Sequence, residues 1–212
     1  MTVLNRQHKD PKVIDKIIVS LDDEYDKTGK MTVRQGKIHE YLGMTLDFSR
    51  PGKFIMDMEQ YIDEVMKDLP KEFGGMVETP AALRMFKTRS GAGYLDQETA
   101  ELFHHLTAQL LFLGQRGRPD IRNAVSFLCT RVKSPYNDDY KKLHRLIKYL
   151  RKTKFLRLTM EANRLDQNEW FIDAAFAVNK DMRSHTGAYM TFGRGMMNGA
   201  SNKQKINTTS ST

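Results

Sequence analysis

Residues 104–154 read HHLTAQLLFLGQRGRPDIRNAVSFLCTRVKSPYNDDYKKLHRLIKYLRKTK and hold three helical patterns in succession. Twelve Lys/Arg stand in this segment against three Asp, a local charge of 12 − 3 = +9. The whole chain carries +8, so everything outside the segment sums to −1. A basic excess confined to one segment points to a polyanion partner. In the third pattern Tyr140, Leu143, Leu146, Ile147 and Leu150 recur at three and four residues and make one apolar helix face. Lys141, Arg145, Lys148 and Lys152 recur at the same spacing on the opposite side. Cations about 5–6 Å apart along a helix can track a phosphate backbone. The plainer alternative is a solvated outer face on a bundle helix.

Working outward, Asp96 caps the first helix, with Glu98 in its opening turn and Leu102, Leu106, Leu110 and Leu113 as its core stripe. Gly114 to Gly117 breaks it. Pro119 opens the second helix, with Ile121, Val125, Leu128 and Val132 inward, and Asn137 or Asp138 caps the third. Three such helices can bury one shared core.

Upstream, Asp10-Pro11 starts a helix whose apolar positions run from Val13 to Tyr25, ending at a turn over Lys27–Lys30 with Gly29. The alternating Leu42, Met44, Leu46 and Phe48, the turn Arg50-Pro51-Gly52-Lys53 and the alternating Phe54, Met56 and Met58 predict a hairpin over 38–58. A short helix follows with Ile62, Val65, Met66 and Leu69 on one side. Residues 71–93 read as a long connection, with Thr79-Pro80 extended. Downstream of Lys154 the period changes to two. Strands are expected at 155–160, 170–175, 188–192 and 196–200, with turns at 184–187 and 193–195. The closing Ser/Thr cluster over 207–212 suits a helix N-terminus, which reads as a domain cut mid-fold.

Composition bounds the possibilities. The chain has 212 residues, 40% hydrophobic and 28% charged, which is globular rather than disordered. Its isoelectric point near 9.5 favours nucleic acid over an anionic membrane. The start is polar and holds no signal-peptide core, and the longest apolar run, 174–178, is far short of a membrane span. A cytoplasmic or nuclear, non-secreted protein with no membrane partner is expected. Cys129 is the single cysteine, so no intrachain disulfide forms; it is read as a small core residue. The six His lack zinc-ligand spacing.

Six short segments carry a resemblance: His39-Glu40-Tyr41-Leu42-Gly43-Met44, Thr79-Pro80-Ala81, Arg118-Pro119-Asp120-Ile121, Tyr149-Leu150-Arg151-Lys152-Thr153, Ile172-Asp173-Ala174 and Ser184-His185-Thr186-Gly187. In this order and at these spacings, the chain resembles the polymerase region of copia-type LTR retrotransposon polyproteins. The resemblance implies an α+β fold in three parts. Residues 1–60 are the end of a reverse-transcriptase palm, a helix plus a hairpin. Residues 61–153 are a helical thumb and connection, and 154–212 are the N-terminal half of an RNase H-like sheet.

The family also implies Mg²⁺ and two catalytic carboxylate sets, both incomplete here. Laid on the family's Tyr-x-Asp-Asp turn, the two aspartates fall at Thr2 and Val3, neither of which binds Mg²⁺ as a carboxylate does. Asp22 and Asp23 are adjacent but sit within a helical pattern and read as solvated surface. For RNase H, Asp173 matches the first catalytic and metal-binding aspartate, and the next acidic residue belongs beyond Ser210-Ser211-Thr212. One carboxylate cannot hold a metal pair. Neither primer extension nor hybrid cleavage is therefore expected from this chain without flanking polyprotein segments to supply the missing partners.

The binding role in the family, holding a template–primer duplex by its backbone, nominates Arg116, Arg118, Arg122, Arg131, Lys133, Lys141, Arg145, Lys148 and Lys152 for phosphate contacts. Such contacts give affinity without sequence specificity. In the Arg-Pro-Asp turn, Asp120 can instead pair with Arg118 or with Arg122. The alternatives to a polyprotein fragment are a non-catalytic nucleic-acid-binding module and a globular remnant with no function of its own.

Overall fold

The computed structural model describes residues 10–25, 33–67, 69–179 and 181–205. The expectations placed on Thr2, Val3, the turn over 27–30 and the Ser/Thr cluster over 207–212 lie outside the described residues. The chain divides into two units, residues 1–37 and 38–212.

In the first unit Pro11–Tyr25 forms helix α1. Asp10 begins it as expected, its Oδ1 accepting from the Lys12 amide at 3.0 Å, with Pro11 at the first helical position.

The second unit is α+β. Strands β1 (Ile38–Tyr41), β2 (Met44–Asp47) and β3 (Lys53–Asp57) form a meander, followed by helix α2 (Glu59–Met66). Helices α3 (Gln97–Arg116), α4 (Arg122–Cys129) and α5 (Asn137–Thr153) come next, then β4 (Leu158–Ala162), β5 (Glu169–Ala175), β6 (His185–Thr191), β7 (Gly193–Arg194) and β8 (Asn198–Lys203). Two antiparallel sheets result, ordered β1-β2-β3-β4-β7 and β5-β6-β8.

Several local expectations are corrected. Leu42 lies in a two-residue turn rather than on a strand: φ is 50° at Leu42 and 74° at Gly43, and the pair Tyr41–Met44 closes the hairpin. Positive φ at both central residues matches the right-handed twist of the flanking strands. Gly114 does not break α3. It is buried inside the helix, where a Cβ would come 3.4 Å from Ile121 Cγ1, so its missing side chain lets the next turn approach. The α3 stripe is Phe103, Leu106, Leu110 and Leu113, with Leu102 on its flank. Pro119–Ile121 forms a 3₁₀ turn before α4.

The N-cap of α5 is Tyr136, whose amide donates to Asp139 Oδ2 at 3.0 Å. Asn137 is the first helical residue and donates through Nδ2 to Ala92 O at 2.8 Å. Thr186 and Gly187 lie in β6, opposite Ala174 and Asp173, and the chain reverses earlier, where Asn179 Nδ2 donates to Arg183 O at 2.8 Å. Gly193 and Arg194 pair with Ala162 and Glu161 instead of turning freely.

One core joins the first sheet to α2–α5. Met44 and Leu46 of β2, with Phe54 and Met56 of β3, face Ile62 and Val65 of α2 and the inner sides of α3, α4 and α5. The apolar stripe of α5 is inward as its periodicity predicts: Leu143, Leu146, Ile147 and Leu150 are buried. Burying each such side chain contributes about 1.5–3 kcal/mol. Cys129 is half-buried against this core, and burial pushes its thiol pKa up. β4 closes on β3 across about a hundred residues of chain, with Phe54 opposite Met160. The second sheet is tied to α4 by polar contacts: Ser126 donates to Ser201 O at 2.5 Å, and the Ser201 hydroxyl donates to Asn123 Oδ1 at 2.6 Å.

Candidate nucleic-acid interface

The nine candidate cations separate by what already holds them. Arg118 is 2% exposed. Its Nε and Nη2 form a fork on the two Asp120 carboxylate oxygens at 2.9 and 2.7 Å. Nη1 donates to Thr153 O at 2.9 Å, and Nη2 also donates to Thr153 Oγ1 at 2.7 Å. Tyr149 donates its hydroxyl to Asp120 Oδ2 at 2.8 Å and lies under the guanidinium, 5.7 Å from ring centroid to Cζ. Burial and the neighbouring carboxylate push the Tyr149 hydroxyl pKa up. Of the two pairings open to Asp120, the structure shows the one with Arg118.

Arg122 closes the C-terminus of α3 instead. Its Nε and Nη2 donate to the carbonyls of Gly114 and Gln115 at 3.3 and 3.2 Å, where the helix leaves acceptors unsatisfied. Burial lowers its pKa. Arg131 donates through Nε to the buried Asp139 at 3.1 Å and sits over the Tyr136 ring. These three arginines brace the helices from within and between their ends.

The other six are placed outward or at the rim. Arg116 is exposed at the end of α3, its guanidinium 5.8 Å from the Phe112 ring centroid. Lys133 is exposed between α4 and α5. Lys141, Arg145, Lys148 and Lys152 form a row on the outer side of α5. With a rise of about 1.5 Å per residue the row runs for about 16 Å. Lys133, Lys141 and Lys148 have no ion-pair partner among the described residues.

The segment 75–79 lies along this row, and periodicity gave no sign of it. Phe73, buried in the core, pins its start against Tyr140 and His144, with ring centroids 5.6 and 4.0 Å apart. Arg145 Nη2 donates to Thr79 Oγ1 at 2.8 Å, and Lys152 pairs with Glu78. Between segment and helix lies a cavity of about 250 Å³ lined by Val77, Lys141, His144, Arg145 and Lys148. Burial lowers the His144 pKa, and burial together with Glu72 pushes Tyr140 up to about 12. His144 was not among the expected site residues. Its sequence signal is its position one residue before Arg145 within the apolar-cationic alternation of α5, which only the packing of Phe73 makes meaningful.

Asp173 is exposed on β5, opposite Gly187 of β6. Among the described residues no group of three His, Cys, Asp or Glu side chains is placed to hold a metal ion. A two-metal centre needs several carboxylates, so the described residues at Asp173 do not by themselves fit a pair of Mg²⁺ ions. Among the described residues no helix is long and apolar enough to cross a membrane.

Over 183 residues, 85% of this chain, the sequence is 25% identical to a putative transposon Ty5-1 protein of Saccharomyces cerevisiae. Over 157 residues, 74% of this chain, it is 26% identical to an uncharacterized mitochondrial protein of Arabidopsis thaliana. The matched stretch spans 56% of the length of the first relative and 63% of the second. No family model and no solved structure matches the chain.

Proposed function

We propose that the chain is a segment of a copia-type retrotransposon polyprotein, covering the end of a reverse transcriptase and the start of its RNase H domain. Its role there is to hold an RNA–DNA hybrid or a template–primer duplex by the phosphate backbone. The similarity to a transposon protein supports the origin, and the motif order supports the placement within the polyprotein. In this reading residues 1–60 belong to the palm, 61–153 to thumb and connection, and 154–212 to RNase H. Mg²⁺ and the remaining catalytic carboxylates act elsewhere in the polyprotein, which works in the cytoplasm or nucleus.

The observation that carries the binding role is the two-sidedness of α5. Its apolar face is buried in the shared core, and Lys141, Arg145, Lys148 and Lys152 project from the other side. A solvated structural face needs no such one-signed row. Four ridge contacts to phosphates release counterions with a slope of log K against log salt of about −3 to −4. Titration of the protein with a labelled RNA–DNA hybrid at several salt concentrations measures that slope. A slope near zero would remove the binding role.

A further inference from the structure

We propose that the cavity between segment 75–79 and α5 is a subsite for a single phosphate group, and that it prefers a doubly charged terminal phosphate to an internal phosphodiester. The inference deepens the reading of α5 as a backbone-binding helix and rests on it for the source of the phosphate.

Three cations line this one cavity: Lys141, Arg145 and Lys148. Their spacing of four and three residues places them in one stripe on one side of the helix. No acidic side chain lines the cavity. The nearby acids are turned to other partners, Glu78 to Lys152 and Glu72 to the Tyr140 hydroxyl at 3.4 Å. A phosphodiester carries one negative charge, and three convergent cations exceed it. A terminal phosphate carries close to two and balances the set better.

The cavity is a groove open on one side, with α5 as one wall. Segment 75–79 forms its second wall, with Val77 as an apolar surface and the Lys148 stem against Gly75, where a Cβ would lie 3.8 Å from Lys148 Cε. Arg145 is steadied by its 2.8 Å bond to Thr79 Oγ1, and the Thr79 hydroxyl in turn donates to Ala81 O at 3.1 Å. Arg145 Nε and His144 Nε2 are both buried without a hydrogen-bond partner. Orphaned nitrogens are costly in a folded protein, and here two belong to adjacent residues of the cavity wall. Both atoms are shielded from solvent, so an anion seated on the three cations reaches them only when the Arg145 and His144 side chains turn toward it. A volume of about 250 Å³ far exceeds the roughly 30 Å³ of one water, and its open side leaves room for the sugar that a terminal phosphate carries.

The test uses the whole 212-residue chain and three probes: inorganic pyrophosphate, a 5′-phosphorylated oligonucleotide duplex and the same duplex with 5′-hydroxyl ends. Calorimetric titration is expected to show pyrophosphate binding that weakens about tenfold in Lys148→Met, the loss of one charge-assisted contact. The 5′-phosphorylated duplex is expected to bind about three- to tenfold tighter than its 5′-hydroxyl counterpart. Arg145→Lys keeps the charge and the fold while losing the bond geometry to Thr79, and is expected to weaken pyrophosphate binding by less than Lys148→Met. Absence of pyrophosphate binding, or equal weakening by Lys133→Met outside the cavity, overturns the subsite. Equal affinity for the two duplexes overturns the preference for a terminal phosphate. The salt slope with the hybrid is read separately, so loss of the subsite leaves the duplex-binding role standing or falling on its own data.

Discussion

Arg118 and Thr153 are 35 positions apart, yet the guanidinium bonds both the carbonyl and the hydroxyl of Thr153, at 2.9 and 2.7 Å. Through Asp120 and Tyr149 the same cluster joins the Arg118-Pro119-Asp120-Ile121 segment to the Tyr149–Thr153 segment. Two stretches that are separate in sequence are therefore one structural clasp, which fastens the start of α4 to the end of α5. Lys cannot reproduce a planar fork on a carboxylate while also reaching a carbonyl. Arg118→Lys is expected to destabilise the protein by about 1–3 kcal/mol, because it removes hydrogen bonds made by a guanidinium that is only 2% exposed. Denaturant unfolding of the variant beside the parent checks this. A change under about 0.5 kcal/mol would mean the clasp carries no stability.

The Leu42-Gly43 turn places a leucine where φ is 50° and leaves its side chain 57% exposed. Asn tolerates that conformation better than Leu does. Leu42→Asn is expected to raise stability by about 0.5–1 kcal/mol. Gly43→Ala is expected to lower it by about 1 kcal/mol or more, since φ is 74° and a Cβ would meet Tyr61 Cδ2 at 3.0 Å. Thermal unfolding of both variants reads the two opposite signs in one experiment.

Burial holds the His144 and His185 imidazoles below their ordinary pKa of 6.5. Glu72 opposes this at His144, while Lys148 adds to it. As pH falls through 6.5 the unfolded chain takes up protons that the folded protein still refuses. More protons bound by the unfolded state means stability falls with falling pH in this window, and the full value is present above it. Hydrogen bonds from Ser49, Thr99 and Lys203 hold the Asp47, Asp96 and Asp181 carboxyls below 3.8, so their contribution fades only at pH values under that. Acid destabilisation in two stages is expected. Unfolding midpoints at about pH 7.5 and about pH 5.5 report the first stage. It should shrink in His185→Gln, and a midpoint that rises on acidification would contradict the assignment.

Glu78 is the acid that lies against the cation row, paired with Lys152 while itself 79% exposed. An exposed pair of this kind contributes little to folding, so Glu78→Gln is expected to change stability by less than about 0.5 kcal/mol. Removing the carboxylate that competes with phosphate for Lys152 should tighten hybrid binding about two- to fivefold, with little change in the salt slope because Lys152 already counts among the four contacts. Unchanged affinity in fluorescence anisotropy would place Lys152 outside the interface.

Short-range patterns in the sequence were reliable where one element's own periodicity decides the outcome. The buried face of α5, the Asp96 cap, which accepts from the Thr99 amide at 2.9 Å, and the inward Val125 and Leu128 of α4 follow from spacing alone, whereas the expected Val132 lies past the end of α4 and the buried Phe127 falls outside the expected stripe. Leu42 misled because an apolar residue in an alternating run looks like a strand position, whereas turn geometry depends on the pairing register. Gly114 misled because its role is set by Ile121, which approaches it from outside the helix. The pairing of β4 with β3 depends on contacts about a hundred residues apart, which no local window contains. The cations divided for the same reason. The Arg-Pro-Asp turn offers Arg118 a carboxylate two residues away, but its choice over Arg122 and the engagement by Thr153 are set by the fold, which leaves Lys148 without an ion-pair partner among the described residues.

The central claim is that the outer row of α5 grips phosphate, and the most direct measurement is the salt slope of hybrid binding in parent and in a Lys141→Gln, Lys148→Gln, Lys152→Gln triple variant. These three side chains lie outside the core, so the fold is expected to persist, checked by an unchanged unfolding midpoint. Removing three phosphate contacts predicts a slope that flattens by about 2.7, from about −3 to −4 to near −1. A triple variant that keeps both the parent slope and the parent affinity would contradict the account.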